Sequence, residues 1–193
     1  MRFVQTAVLL LAACALTAPL GAQEPPVLRK SPEFVIKTPD GNQTLLSSYR
    51  GKVIALLFVH TTCPHCQHAV EVFSKFQAEF GARGFQPLAV AFNPMANMFV
   101  KDFVKEHHVT FPVGFSPPED VLNYMNISLM ARYFVPQVAW IDRRGNIRSQ
   151  TAAQPDDKLL QEPYWRNMIE TLLKEPASTK TGAPAHRPTS AQK

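Results

Sequence analysis

Cysteine is nearly missing from this chain. Three stand in 193 residues, and one of them, Cys14, lies in an apolar leader. With the leader removed, Cys63 and Cys66 are the two that remain, too few for a framework of structural disulfides. A zinc site wants four ligands, and there is no second C-x-x-C to supply them. No stripe of Lys and Arg interleaved with aromatics appears, which argues against a nucleic-acid partner. Acids are missing from residues 176–193, where Lys180, Arg187 and Lys193 sit. Together with Arg2 of the leader they account for most of the net charge of +5, so the body is close to neutral. The apolar run from Phe3 to Leu16 is short and Ala-rich for a membrane anchor.

The whole sequence is 46% hydrophobic and 10% aromatic, the composition of a folded globular protein. Removing both ends leaves about 140–150 residues, enough for one domain. Residues 1–22 read as a secretory signal peptide, ending in the small residues Gly21-Ala22. Leu11-Ala12-Ala13-Cys14 also resembles a lipobox, which would lipidate Cys14 and tether the protein to a membrane. Cleavage near Ala22 is favoured, because apolar sequence continues past Cys14. Either outcome exports the domain to a bacterial periplasm or cell envelope, where disulfides persist. Residues 23–32 read as a linker, 33–175 as the folded domain, and 176–193 as a disordered tail rich in Pro, Ala, Ser and Thr.

Cys63-Pro64-His65-Cys66 is the chemically informative stretch. Val53 to Val59 before it is an apolar run that predicts a buried strand, and an amphipathic helix should run from Pro64 to Phe80. Residues three apart at a helix start share a face, so the two sulfurs can bond without backbone movement. Pro64 suits the first turn, where its missing N–H is not needed. Free N–H groups and the helix dipole favour a thiolate at Cys63, and His65 adds a donor or a positive charge. Pro64 and His65 are thus expected to tune the pair and make its disulfide more oxidising. Cys66, a turn deeper, should be the less exposed resolving thiol. A C-x-x-C at a strand-to-helix junction is the pattern of a thioredoxin-like redox site. Two other readings stand beside it. A permanent staple would close too short a loop to stabilise much. Copper could draw on His60, Cys63, Cys66 and His68, with soft thioethers from Met95 and Met98.

Farther along, Phe34 to Ile36 and Gln43 to Leu46 predict a hairpin about Thr38-Pro39-Asp40-Gly41. Phe85 to Phe92 predicts a second core strand, despite Pro87. A helix is expected over 97–108 with Phe99, Phe103 and Val104 buried, then a strand over 111–115 and a short helix over 118–125. Strands at 138–141 and 147–151 flank Asp142-Arg143-Arg144-Gly145-Asn146, and a closing helix over 156–174 should bend at Pro163. Strands alternating with helices imply an α/β layer structure with parallel strands.

Four stretches, in order, carry a family resemblance: Leu45-x-x-x-Tyr49-x-Gly51-Lys52-Val53, the strand entering Cys63-x-x-Cys66, Val135-Pro136, and Trp140-Ile141-Asp142-x-x-Gly145. Over residues 33 to 151 the chain resembles the TlpA/ResA-like exported thiol–disulfide oxidoreductases of the redoxin family. The resemblance implies a thioredoxin-like α/β fold: a central mixed sheet flanked by helices, with an N-terminal hairpin and an inserted helix after the second core strand. It also implies a cis Val135–Pro136 bond beside the cysteines, with the Val135 backbone pairing with an extended substrate peptide. No cofactor beyond a redox-active Cys63–Cys66 disulfide is implied. The partners it implies are client proteins with cysteine thiols and a membrane redox partner.

The departures bear on direction. Thr62 stands where many members have Trp, Ala69 where reductants often have an acid, and Leu57 where thioredoxins have Asp. The Pro-His dipeptide, with Val before the expected cis proline, is similar to DsbA-type oxidases. The expectation therefore leans to oxidant or isomerase chemistry. The alternatives are a periplasmic reductant in cytochrome c maturation and, in a different class, a copper-binding chaperone. A thiol peroxidase would need Pro-x-x-x-Thr/Ser-x-x-Cys, and neither cysteine has it.

Overall fold

The computed structural model describes residues 27–176; the leader, the lipobox and the tail lie outside the described residues. Its eight strands form one mixed sheet. In chain order they are β1 (Arg29–Lys30), β2 (Val35–Lys37), β3 (Gln43–Leu45), β4 (Val53–Val59), β5 (Phe85–Ala91), β6 (Val113–Phe115), β7 (Gln137–Ile141) and β8 (Asn146–Gln150). The sheet order is β1-β8-β7-β4-β5-β6-β2-β3. β4, β5 and β6 run parallel, β7 lies antiparallel on the other side of β4, and the β2–β3 hairpin joins through β6.

All seven residues of β4 are buried because helices cover both faces, which is why its sequence is apolar without alternation. Val53, Ala55, Leu57 and Val59 face α1 (Pro64–Phe80), α2 (Ala96–Glu106) and α4 (Glu162–Lys174). Ile54, Leu56 and Phe58 face α3 (Pro118–Met125) and the hairpin's Phe34 and Ile36. Phe73 of α1 anchors the first layer, its ring 4.9 Å from Trp165 and 5.8 Å from Trp140. Pro87 is tolerated in β5 because β6 pairs only with residues 89–91, so no strand needs the missing N–H. A Cβ at Gly114 would collide with Ile36 and the Lys37 carbonyl, so glycine lets β2 close onto β6.

Three elements differ from the sequence expectation. The Pro-containing lead, read as a linker, contributes β1, whose Arg29 and Lys30 pair with Ile147 and Asn146. A two-residue strand held by a distant partner has no local period to reveal it. Phe99 is 41% exposed, because Ala96, Val100 and Phe103 make the buried face of α2 and Phe99 lies at its margin. The closing helix is two pieces, a 3-10 turn (Asp157–Leu160) and α4, separated by Gln161 in extended backbone; Pro163 sits in the first turn of α4 instead of bending its middle.

The end of the sheet remote from the cysteines is tied by charge. Arg148 donates from Nη1 to both Glu175 carboxylate oxygens at 2.6 and 2.7 Å and to Asp142 Oδ2 at 3.3 Å, and all three residues are buried. Asp142 also accepts the backbone N–H groups of Arg144 and Asn146, both at 2.9 Å. Arg143 reaches the carbonyls of Arg83, Leu173 and Glu175, so one turn fastens both α4 and the loop after α1.

Candidate active site

β4 carries the chain to the edge of the sheet and releases it at His60. A tight turn follows, closed by the Cys63 N–H on the His60 carbonyl at 3.2 Å. Cys63 is the N-cap of α1 in extended backbone, with Pro64 in the first turn. Its carbonyl accepts from Cys66 and Gln67, both at 3.0 Å. These bonds set the two cysteines one turn apart. Cys63 is half-buried, Cys66 is 0% exposed, and Pro64 and His65 lie exposed between them.

The segment before β7 completes the site. The Val135–Pro136 peptide is cis, as the resemblance implied. Cys63 Sγ lies 3.9 Å from the Val135 carbonyl oxygen, within reach of its thiol proton. Cys63, Cys66, Val135 and Pro136, far apart in the chain, are thus brought to one edge. Both flanks of that edge are apolar and exposed: Met95, Met98 and Phe99 follow β5, and Leu129, Met130 and Phe134 precede β7.

Burial pushes the Cys66 thiol far up, and the neighbouring Cys63 adds to the rise; the His60 N–H, 3.4 Å from Cys66 Sγ, opposes it. Leu57 and Ala69, both fully buried, occupy the places where the family carries acids. Glu71, two residues beyond Ala69, is turned outward to His107 at 2.9 Å and does not replace them. A thiol whose pKa is raised by folding lends stability that is complete below the unfolded pKa, near ~8.5, and lost as pH rises above it. The reduced protein is therefore expected to lose about 1.4 kcal/mol per pH unit beyond that point. Urea unfolding from pH 7 to 10 checks this against Cys66→Ala, and equal slopes in both proteins would dismiss it.

The copper grouping does not assemble. The His60 ring packs on the α3 face, 4.6 Å from the Phe92 ring and 6.3 Å from Tyr133, whereas Cys66 belongs to the opposite layer. Burial lowers the His60 pKa, and its Nε2 has no hydrogen-bond partner among the described residues. His68, Met95 and Met98 are exposed. Among the described residues, no group of three or more His, Cys, Asp or Glu could hold a metal ion. β4 puts alternate side chains on opposite faces, and the sequence cluster is divided for that reason.

Sequence reasoning missed three polar residues beside the cysteines. The Thr61 N–H and hydroxyl both donate to Asn93 Oδ1, at 2.9 and 3.3 Å, and the Thr61 carbonyl accepts from Gln67 Nε2 at 3.0 Å. The available signal was Asn93-Pro94, a loop-opening pair at the end of the strand beside β4.

The chain is 27% identical over 118 residues to the thiol–disulfide oxidoreductase ResA of Geobacillus kaustophilus, covering 61% of this chain and 64% of the relative. This chain thus spans just under two thirds of that protein's length. It is 26% identical over 139 residues to ResA of Bacillus subtilis, covering 69% and 77% of the two chains. Among solved structures, a thiol:disulfide interchange protein of the thioredoxin family from Chlorobium tepidum matches with a TM-score of 0.62 at 23% identity, over 75% of this chain and 96% of its own. One from a Bacteroides species matches with a TM-score of 0.61 at 17% identity, over 79% and 93%. The fold is thioredoxin-like, and the resemblance to ResA-type proteins is borne out. The model of the Redoxin family matches residues 27–168, well over half the sequence, and the chain belongs to that family.

Proposed function

We propose that the chain is a thiol–disulfide oxidoreductase that exchanges a Cys63–Cys66 disulfide with the thiols of client proteins, acting as an oxidant or isomerase. The carrying observation is the asymmetry of the pair: an accessible Cys63 at a helix N-terminus and a fully buried Cys66. A client thiolate attacks Cys63 Sγ, the Cys63–Cys66 bond breaks, and Cys66 leaves as a thiolate that takes up a proton. Burial keeps it protonated. Among the described residues no carboxylate stands beside it to take that proton again, so the client's second thiolate attacks the client sulfur of the mixed disulfide and Cys63 departs as a thiolate. The client gains the disulfide and both cysteines of the site end as thiols. No cofactor is needed beyond the pair. Val135 and Pro136 would bind the client backbone beside the sulfur, and the exposed apolar flanks suit clients that have not finished folding.

A membrane redox partner would restore the disulfide, and the N-terminal leader supports a place in the bacterial periplasm or envelope. The second reading, a reductant for haem-site thiols in cytochrome c maturation, draws on the similarity to ResA. The reduction potential separates the two. Equilibration with glutathione buffers is expected to give a value well above the roughly −270 mV of thioredoxin. A thioredoxin-like value would assign the reductant role, and absence of exchange would end both readings.

A further inference from the structure

We propose that Asn93 and Gln67 are positioning residues for this exchange, gripping the Thr61 peptide groups from two sides and through them holding the His60 N–H on the Cys66 sulfur. The inference rests on the exchange reading above. Thr61 and Thr62 are the central residues of the turn between His60 and Cys63, beyond the last ladder bond of β4. Thr61 is 6% exposed, so its N–H and carbonyl have little access to water. Asn93, at the end of β5, takes the N–H and the hydroxyl; Gln67, next to Cys66 on α1, takes the carbonyl. Asn93 is itself steadied by its Nδ2 on the Pro94 carbonyl at 3.2 Å. Two side-chain amides thereby tie the end of β4 to β5 and to the first turn of α1.

The tie acts on the one moment when Cys66 carries charge. Whenever the Cys63–Cys66 bond breaks or forms, a thiolate must exist in a site closed to water. The donor that reaches it is the His60 N–H at 3.4 Å. The titratable group that bears on it is Cys63; the His60 ring lies on the other face, and no carboxylate contributes. Truncating either amide leaves a buried Thr61 group unmet, the turn relaxes to find water, and the His60 N–H swings off the sulfur. The Thr61 N–H lies in the peptide that follows His60 and the His60 N–H in the peptide that precedes it, so the coupling runs through the φ and ψ of His60 alone.

The test isolates the step that needs the thiolate. A mixed disulfide is formed between Cys63 and 2-nitro-5-thiobenzoate. Cys66 then loses its proton to buffer and attacks Cys63 Sγ, and the coloured thiolate is released as the Cys63–Cys66 bond forms. Gln67→Met, at a half-exposed position, and Asn93→Ala are each expected to slow release at pH 7 by roughly tenfold, near the low end of what a hydrogen bond to a charged group supplies. Their pH–rate profiles should shift to higher pH, while labelling of Cys63 stays within about twofold of the unmodified protein, since the step-specific loss belongs to Cys66. The double variant should be little slower than either single one, because both act on the same turn. Release at the original rate with an unmoved profile in Gln67→Met, or equal slowing of both steps, would overturn the proposal. Failure of the unmodified protein to form the mixed disulfide at Cys63 would instead remove the exchange reading beneath it.

Discussion

Cys63→Ser is expected to reduce disulfide exchange to the rate of the buffer thiols alone, and Cys66→Ala to accumulate adducts instead. The two cysteines are not interchangeable. Cys63 Sγ is the sulfur a client can reach, beside the Val135 carbonyl at the open edge. A hydroxyl there neither forms nor accepts a disulfide. Cys66 is sealed beneath it, so its loss leaves the Cys63 thiolate able to attack a client disulfide and removes the intramolecular exit from the mixed disulfide. Non-reducing electrophoresis after incubation of the reduced proteins with disulfide-bearing clients reads both outcomes, since the Cys63 thiolate then attacks a client disulfide and releases one client thiolate. Retained exchange in Cys63→Ser would overturn the nucleophile assignment, and a lane free of adducts in Cys66→Ala would overturn the resolving role.

Arg148→Met should cost about 3–5 kcal/mol of stability, the range for breaking a buried ion pair from one side. The substitution leaves the carboxylates of Asp142 and Glu175 buried without the guanidinium that joins them. Asp142 keeps its backbone donors, but both Glu175 oxygens lose their Arg148 contacts and the end of α4 loses its tie to β8. The urea midpoint reports the loss. A change under about 1 kcal/mol would mean the cluster behaves as a solvated surface pair. Exchange per folded molecule should be unchanged, because β7 runs antiparallel to β4 and puts Asp142 at the opposite end of the sheet from Cys63.

What could be read from the sequence was local. The β4 run, the Pro64 start and the amphipathic pattern of α1 each follow from neighbours in the chain, and the strand-turn-helix that presents the cysteines came out at its observed bounds. What could not be read depends on distant partners. β1 exists because β8 offers it an edge. Phe99 and Phe103 share a helical face, yet only Phe103 has a layer to enter. The grouping of His60 with the cysteines failed because adjacency in sequence ignores which side of the sheet a side chain takes. Asn93 and Thr61 meet only because β5 lies beside β4. Val135 was reachable from the sequence through resemblance, not through any pattern of its own.

The two outer strands have a consequence for a protein that handles incompletely folded chains. β1 offers two residues, both cationic, and β3 offers three, two of them polar. Edges this short and this poorly apolar are weak templates for recruiting a foreign strand. An unfolded chain held at Cys63 therefore finds little backbone on which to start a cross-β stack, and the sheet is guarded against coaggregation with the molecules it is proposed to oxidise.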